Sequence, residues 1–372
     1  MELKRTSLAS AAHGTSLELV SLHFGTPGIG EKVVIQASLH ADELPGMLVV
    51  HHLRRTLEAH EQAGRIRGEI VLVPVANPIG LAQSVLHSEA GRFDLHSGEN
   101  FNRNYPDLTR TVIAHVDGRL TDDPQHNRAQ IRAAMQSVLA GMVCVDQLSS
   151  LRRALLLQAC NADVVLDLHC DFEAVLHMYL GTPLWSAAEP LARLLGVEAV
   201  LLATESGENP FDEACSKIWW ELAAHFGDEF PIPLACLATT IELRGTRDVT
   251  HAYAEADAKA IESFLIHRGV LAGAAVTLPP ARCLPTPLAG SMPIETPRSG
   301  VLVFAAEVGQ KLRRGECVAE ILDPINAEVT RLLSPVDGVL YAREIRRYVS
   351  AGTSVAKVAG AEALRNGRLL SA

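Results

Sequence analysis

The sequence lacks the features of a membrane-embedded or secreted protein. No apolar run among its 372 residues reaches the ~20 residues that a membrane helix requires. The opening MELKRTSLASAAHGTS has two basic residues but no apolar segment of the kind that a secretory signal carries, so we expect no such signal. The seven cysteines are scattered and form no CxxC pair, which predicts reduced thiols in a cytoplasmic protein.

Positive charge is also scarce. The chain has 33 Lys and Arg against 43 Asp and Glu, a formal net charge of −10. Because phosphate groups are bound by clustered Lys and Arg, this balance argues against a nucleic-acid or anionic-membrane partner and leaves a small molecule as the expected partner. Composition does not decide the oligomeric state, and a homo-oligomer remains open.

The apolar patterning predicts an α/β fold. Helical spacing of apolar residues alternates with short β-branched runs, an arrangement typical of a sheet with helices on both faces. The predicted strands are 32–40, 69–77, 163–169 and 235–243. The predicted helices are 46–64, 125–143, 186–196, 212–227 and 251–269.

The composition and the apolar pattern of the sequence change near residue 275. The segment LPPARCLPTPLAGSMP (278–293) is rich in proline, as linkers and extended segments are. Short alternating runs with glycine-containing turns follow it, which is an all-β pattern. We therefore expect a catalytic domain over 1–275 and a smaller all-β domain over 276–372.

Polar residues stand at the ends of three predicted strands. His40 and Glu43 follow the first strand, His169 closes DVVLDLH, and Glu242 lies near the end of LATTIELRG. In open α/β sheets, functional groups gather at the carboxyl ends of the strands, so these residues can surround one crevice. The alternative is that each strand simply ends in solvent.

This residue set matches the chemistry of a metal-dependent hydrolase. Two imidazoles and one carboxylate, as in His40, Glu43 and His169, are a known ligand set for one catalytic zinc ion with an open position for water. Zinc makes its bound water acidic enough to give hydroxide near neutral pH. Glu242 suits the general base that takes the proton from that water and later delivers it to the leaving group. Mn, Co or Ni could replace zinc in such a site.

The segment GRFDLHSGENFNRNYPD (91–107) concentrates Gly, Asn, Arg and Tyr between a strand and a helix. One reading is a surface loop, because these residues dominate turns. The functional reading uses Asn102 and Arg103 to hold a substrate carboxylate, since arginine presents a planar fork to carboxylates. Arg92 would then stabilise the oxyanion that forms during amide hydrolysis.

These motifs resemble the succinylglutamate desuccinylase/aspartoacylase family, a branch of the zinc carboxypeptidase A-like superfamily. The matching pieces are LHADELPG, GRFDLHSGENFNRNYP, DVVLDLHC and TTIELRG, in the family's order. The resemblance implies a carboxypeptidase-like mixed sheet flanked by helices, and zinc held by His40, Glu43 and His169. It also implies the roles given above for Arg92, Asn102, Arg103 and Glu242.

The resemblance extends to substrate and to the second domain. The spacing from Glu43 to His169 resembles the longer, carboxypeptidase-like arrangement more than the short form of true aspartoacylases. Some long members look like deacetylases of N-acylated diamino acids, and that substrate class is the nearer one. VLVFAAEVGQKLRRGECVAEIL resembles the biotinyl/lipoyl fold, a small β barrel, but the region near DPINAEV has no lysine to accept a cofactor. We therefore expect the β domain to have a structural, pocket-rimming or oligomer-forming role.

The sequence thus predicts a zinc-dependent hydrolase that removes a small acyl group from an N-acyl amino acid or a related amine. Two alternatives remain open. One is a metallocarboxypeptidase that acts on peptides. The other is a non-catalytic protein that binds a carboxylate ligand through Asn102 and Arg103. Tyr105, Tyr179 and Arg244 lie near the motifs in the sequence and are weaker candidates for contacts with substrate.

Overall fold

The computed structural model describes residues 1–370. Its helices are α1 Pro45–Gln62, α2 Pro78–Leu81, α3 Thr109–Val116, α4 Pro124–Gly141, α5 Gln147–Ala159, α6 Trp185–Leu195, α7 Phe211–Phe226 and α8 His251–His267. The first twelve strands are β1 Glu2–Ser7, β2 Glu18–Gly25, β3 Lys32–Ala37, β4 Glu69–Val73, β5 Ser84–Val85, β6 Ser88–Glu89, β7 Val164–Asp171, β8 Glu173–Ala174, β9 Leu176–Gly181, β10 Ala199–Ala203, β11 Leu237–Gly245 and β12 Pro285–Pro287. The remaining strands are β13 Ser291–Glu295, β14 Gly300–Phe304, β15 Lys311–Leu312, β16 Cys317–Leu322, β17 Val329–Leu333, β18 Gly338–Arg343, β19 Tyr348–Val349 and β20 Ser354–Gly360.

A nine-stranded mixed sheet forms the centre of the protein, in the order β1-β2-β4-β3-β7-β11-β9-β10-β12. The four strands predicted from buried apolar runs are its middle strands β4, β3, β7 and β11, and each is parallel to its neighbour. Because they run in one direction, their carboxyl ends lie at the same edge of the sheet. The predicted α/β class is confirmed as a mixed α/β fold.

Helices cover both faces of this sheet, as the alternation of strands and helices predicts. On β3, Val34 packs into one core with residues of α3, α4, α5 and α7. Its neighbours Val33 and Ile35 point the other way, into a core with residues of α1, α6 and α8. The side chains of Val33, Val34 and Ile35 are at most 1% exposed, so β3 is buried on both sides. This burial explains its continuous apolar sequence.

Residues beyond 275 are mostly β structure, as predicted. One sheet has the order β13-β20-β18-β15 and another the order β17-β16-β14-β19, with a separate core between them. Two pairings join this part to the rest: β12 extends the large sheet beside β10, and β8 pairs with β18. The domain boundary near residue 275 stays a prediction.

Across residues 1–370, no helix combines the length and the apolar character needed to cross a membrane.

Candidate metal centre

The parallel strands bring the predicted polar residues to one edge of the sheet. His169 and Glu242 are register partners on the adjacent strands β7 and β11. His40 follows β3 by three residues, and β3 pairs with β7 up to Ala37 and Leu168. The sequence-distant motifs therefore meet because their strands are neighbours, as expected at the carboxyl ends of an open sheet.

Two glycines allow the loops around this edge to come close together. A Cβ at Gly46, in the first turn of α1, would lie 3.0 Å from the Cβ atoms of both Ala37 and Leu168. A Cβ at Gly91 would lie 2.4 Å from the backbone nitrogen of Asp42. Glycine at these points lets α1 and the 91–107 segment pack directly against the strand ends.

The Glu43 carboxylate lies between two imidazoles. Its Oε1 is 2.8 Å from Nδ1 of His40, and its Oε2 is 2.8 Å from Nδ1 of His169. The three residues are at most 5% exposed, and one donor atom from each lies within 4.8 Å of the others. This group could hold a single metal ion.

The other nitrogen of each imidazole has a partner of its own. Nε2 of His40 is 2.8 Å from Oδ1 of Asn100, and Nε2 of His169 is 3.0 Å from Oδ2 of Asp167. Both partners are acceptors, so each Nε2 carries the hydrogen and each Nδ1 presents a lone pair to Glu43. At His40, Nη1 of Arg92 lies 3.2 Å from Nδ1 and 3.1 Å from Oε1 of Glu43 and can donate to either. At His169, a lone pair that faces a carboxylate oxygen at 2.8 Å requires a proton or a metal ion between the two atoms. The geometry therefore fits a metal site with oriented ligands.

The charge states of the three residues are consistent with this fit. Burial and the neighbouring Arg92 lower the pKa of His40 to about 4, so this imidazole is neutral, as a metal ligand must be. Burial alone would lower the pKa of His169 and raise that of Glu43. The negative charges of Asp167 and Glu43 outweigh burial at His169, and the neighbouring imidazoles outweigh it at Glu43. The pKa of His169 is raised well above, and that of Glu43 lowered well below, the ordinary value. These directions are those of an imidazolium–carboxylate pair, in which a metal ion could take the place of the proton.

Glu242 stands beside this group with an unsatisfied oxygen. Its side chain is partly exposed to the cleft, but Oε2 is shielded from water and has no hydrogen-bond partner within residues 1–370. Burial of the carboxyl and the nearby charge of Glu43 raise the pKa of Glu242 to about 8. A carboxyl group in this state can both accept and release a proton near neutral pH.

Six of the seven predicted site residues line one cleft. They are His40, Arg92, Asn102, Arg103, His169 and Glu242. The seventh, Glu43, joins the two imidazoles and receives a hydrogen bond of 3.1 Å from Nη1 of Arg92. The backbone N–H of Cys170 also donates to Glu43, at 3.0 Å. The structure thus brings together the seven predicted site residues, and their roles remain predictions.

The 91–107 segment has no regular helix or strand and lies against the cleft. Asn102 and Arg103 are 5% and 6% exposed, far less than a surface loop would be. Oδ1 of Asn102 accepts a hydrogen bond from the backbone N–H of Phe211, at 2.8 Å. Nε of Arg103 lies 3.6 Å from Oε2 of Glu208. Both side chains are therefore held in place at the cleft wall.

Of the three weaker candidates for contacts with substrate, one lines the cleft and two have other partners. Tyr179 lines the cleft. Arg244 instead forms a bidentate ion pair with Asp257, with Nη2 to Oδ1 at 2.7 Å and Nη1 to Oδ2 at 2.9 Å. Tyr105 is buried against the ring of Phe211, with ring centroids 5.3 Å apart.

Several residues of the site were missed by the sequence analysis. Asp167 could have been found, because it stands two residues before His169 and so shares its side of β7. Asn100 lies within the quoted 91–107 segment but carried no sign of its role. Lys357 comes from β20, lines the cleft and donates a 2.8 Å hydrogen bond to Asp171. No local pattern indicates a contact between residues so far apart in the chain.

We expect Asp167→Asn to weaken metal binding about 10- to 100-fold, as loss of an orienting partner of a ligand histidine does. Asp167 is fully buried and also accepts a 2.9 Å hydrogen bond from Nε2 of Gln36, so an amide of equal size should keep the packing. A chelator competition titration with Zn²⁺ as probe measures the change. The exposed Asp122, changed to Asn, is the matched control. Equal affinity in the two variants would show that Asp167 does not orient His169.

Comparison with known proteins supports the likeness seen in the sequence. Residues 29–268 match the family described as Succinylglutamate desuccinylase/Aspartoacylase catalytic domain. A crystal structure of a protein assigned to that family from Shewanella amazonensis SB2B has a TM-score of 0.82 and 27% identity, covering 96% of this chain and 98% of the other. One from Shewanella frigidimarina NCIMB 400, with the same family name, has a TM-score of 0.81 and 27% identity, covering 96% and 97%.

A more distant structure shares the fold. The product-bound ectoine utilization protein EutE (DoeB) from Ruegeria pomeroyi has a TM-score of 0.68 at 15% identity and covers 96% of this chain and 95% of its own. No curated protein sequence matches the chain.

Proposed function

Because the chain belongs to the succinylglutamate desuccinylase/aspartoacylase family, we propose that it is a zinc-dependent hydrolase that removes a small acyl group from an N-acyl amino acid or related amine. The observation that carries this proposal is the arrangement of His40, Glu43 and His169. Both Nδ1 atoms face one carboxylate, and both Nε2 atoms are held by other acceptors. The family name points to hydrolysis of amides, and the buried group supplies a place for the required ion.

Zinc is the proposed ion, with one bound per chain, because mixed imidazole and carboxylate ligands with an open position are typical of catalytic zinc sites. When bound, the ion would make a water molecule acidic and polarise the carbonyl of the substrate. The remaining chemistry belongs to side chains of this protein.

Glu242 is the proposed general base and acid. Its unpaired Oε2 can accept a proton from the attacking water without breaking an existing hydrogen bond. The same carboxyl then delivers that proton to the departing amine; burial and the nearby charge of Glu43 raise its pKa, which makes it a stronger base than an ordinary carboxylate.

Arg92, Asn102 and Arg103 are proposed to hold the substrate. Arg92 lies at the cleft beside Glu43, where its guanidinium can stabilise negative charge that develops on the carbonyl oxygen. Asn102 and Arg103 lie on the cleft wall and can orient a substrate carboxylate. Their burial limits competition from water and strengthens such contacts.

The β domain is proposed to rim the pocket. Lys357 and Leu288, both beyond residue 275, line the cleft together with His40 and His169. The arrangement supports a pocket-forming role rather than a detached carrier role. The biotinyl/lipoyl-like identity of this domain and its part in a homo-oligomer remain proposals, as does a cytoplasmic location, which the seven unpaired cysteines support.

A substrate panel on the zinc-loaded protein tests the proposed function. N-acetyl and N-succinyl amino acids and N-acyl diamino acids would be compared with dipeptides that have a free carboxyl end, scoring amine release. We expect hydrolysis of at least one N-acyl amino acid with kcat/KM above that for any dipeptide. Preference for dipeptides would favour the metallocarboxypeptidase. Binding of these ligands without any turnover would favour the non-catalytic alternative.

A further inference from the structure

A second cavity adjoins the cleft at the metal centre, bounded by Phe93, Phe172 and the strands β18 and β20. Its volume is about 290 Å³, whereas that of the cleft is about 70 Å³. Four residues line both spaces: Arg92, Cys170, Asp171 and Lys357. Glu43 lines the second cavity, and His40 and His169 line the cleft. The three predicted metal ligands therefore stand between the two spaces, and a substrate bound at the metal can extend into both.

The proposed orientation of the substrate assigns the second cavity to the acyl chain. Asn102 and Arg103, proposed to hold the carboxylate of the amine half, line the cleft but not the second cavity. Arg92, proposed to stabilise the carbonyl oxygen, lines both spaces. In an amide, the acyl chain and the nitrogen are bonded to opposite sides of the carbonyl carbon. With the amine half in the cleft, the acyl chain therefore extends past Arg92 into the second cavity.

Two partly exposed aromatic rings suit the second cavity to an apolar chain. Phe93 directly follows Arg92, and Phe172 directly follows Asp171, so both line the cavity next to the metal centre. They are 38% and 41% exposed, and a chain that covered them would remove apolar surface from water. The carbonyl of Phe93 accepts a 2.7 Å hydrogen bond from Nε2 of Gln83. The backbone N–H of Phe172 donates to Oδ1 of Asp171, at 2.8 Å. Both rings thus extend from backbone that is already held in place.

The cations that line the second cavity already have acidic partners. The four ion pairs are Arg92 with Glu43 at 3.1 Å, Arg343 with Glu173 at 2.7 Å, Arg346 with Glu344 at 2.7 Å and Lys357 with Asp171 at 2.8 Å. Asp42 also lines the cavity, and its Oδ1 is buried with no hydrogen-bond partner within residues 1–370. The lining therefore holds no surplus of positive charge for an anionic ligand group.

Releasing one of these cations to a ligand would leave an acid without its partner. Arg346 is the most accessible of the four, with a side chain that is 67% exposed. Its partner Glu344 is only 3% exposed, and the other hydrogen bonds of that carboxylate come from backbone N–H groups. A ligand carboxylate that took Arg346 would leave Glu344 buried without a counter-charge, which costs more than a surface ion pair contributes. The second cavity therefore disfavours an acyl chain that ends in a carboxylate.

We propose that the second cavity holds the acyl chain of the substrate and selects an uncharged, apolar chain longer than acetyl. Phe93 and Phe172 contact this chain, and the paired cations give no advantage to a terminal carboxylate. An acetyl group leaves most of the cavity unfilled. The preferred substrates then differ from N-succinyl amino acids, although the family name includes a desuccinylase. The assignment of the cavity to the acyl half rests on the proposed function, whereas its preference for an apolar chain does not.

Three acyl forms of one amino acid, the best amine of the substrate panel, test this preference on the zinc-loaded full chain. The N-acetyl, N-succinyl and N-(4-methylpentanoyl) forms would be compared, because 4-methylpentanoyl has nearly the shape of succinyl but an uncharged end. We expect kcat/KM for the 4-methylpentanoyl form to exceed that for either of the others about 30-fold or more, since each buried methylene contributes about fourfold. Equal or faster hydrolysis of the acetyl or the succinyl form would overturn the proposal.

Truncation of the aromatic rings tests the second cavity itself. Phe172→Ala and Phe93→Ala should each reduce the preference for 4-methylpentanoyl over acetyl about fivefold or more, because the chain loses apolar contacts. Tyr348→Ala is the matched control, since it removes an aromatic ring that is 65% exposed and lines neither space. Thermal unfolding by circular dichroism checks that each variant is folded. A wild-type preference in both phenylalanine variants, or an equal loss in the tyrosine variant, would overturn the assignment of the chain to this cavity.

Binding of the free acids separates failure of this inference from failure of the proposed function. Calorimetry on the zinc-loaded full chain would compare 4-methylpentanoate with acetate, which needs no turnover. We expect 4-methylpentanoate to bind about 30-fold or more tightly, and Phe172→Ala to reduce that ratio. This result without hydrolysis of any amide would support the apolar cavity and overturn the hydrolase. Hydrolysis of amides together with equal binding of the two acids would overturn the inference and leave the hydrolase intact.

Discussion

Glu242→Gln will lower turnover on the order of 10²-fold or more, while the protein still binds one equivalent of zinc. Glutamine has nearly the shape of glutamate, so the strand pairing of β11 with β7 and β9 should persist. An amide cannot take a proton from water or return it to an amine. Turnover on the best substrate of the panel, together with metal analysis of the same sample, measures both halves of this result.

The control for this prediction is Glu89→Gln, which changes an exposed carboxylate outside the site. It should have wild-type turnover and metal content. Near-normal turnover in Glu242→Gln would remove Glu242 from the mechanism. Loss of zinc from that variant would instead make Glu242 a ligand rather than a base.

His169→Ala will lose both the metal and the activity. The ligand Nδ1 disappears, Oδ2 of Asp167 loses its partner, and Oε2 of Glu43 keeps only the backbone N–H of Cys170. Loss of a ligand should cost more than the roughly 10- to 100-fold in affinity that follows loss of a partner behind a ligand. Metal analysis after dialysis should find far less than one equivalent of zinc.

His177→Ala separates loss of metal from loss of fold. His177 is also completely buried and is the register partner of Glu242 on β9, but its Nδ1 donates to the carbonyl of Val175. His177→Ala removes a buried imidazole, as His169→Ala does, but not a proposed ligand, so this variant should retain zinc. Equal metal loss in the two variants would show that His169 acts through the fold rather than as a ligand.

The sequence was informative about the centre of the large sheet. Strands β3, β4, β7 and β11 are buried on both faces, and continuous apolar runs mark such strands clearly. The polar residues at their ends then stand out against these runs. This contrast is why His40, His169 and Glu242 could be picked out before their proximity was known.

The contacts between distant segments could not be predicted in the same way. The hydrogen bond from Phe211 to Asn102 and the ion pair of Lys357 with Asp171 depend on how loops and domains pack. Asn102 lies in a recognised motif and Lys357 in an alternating run, but neither pattern indicates which distant residue it contacts.

The strand pairings that join residues beyond 275 to the rest of the chain also could not be predicted from sequence patterns. The proline-rich segment contributes β12 to the edge of the large sheet, although prolines usually mark a linker. Proline is tolerated there because an edge strand has one side without a partner. The short strand β8 joins β18 through two residues, too few to leave a pattern.

Anomalous diffraction from a zinc-soaked crystal tests the central claim most directly. Data collected on both sides of the zinc absorption edge locate the ion independently of any activity. We predict one strong peak per chain, at about 2.0–2.2 Å from Nδ1 of His40, Nδ1 of His169 and a carboxylate oxygen of Glu43. A peak bound elsewhere, or no peak between these three residues at saturating zinc, would contradict the account.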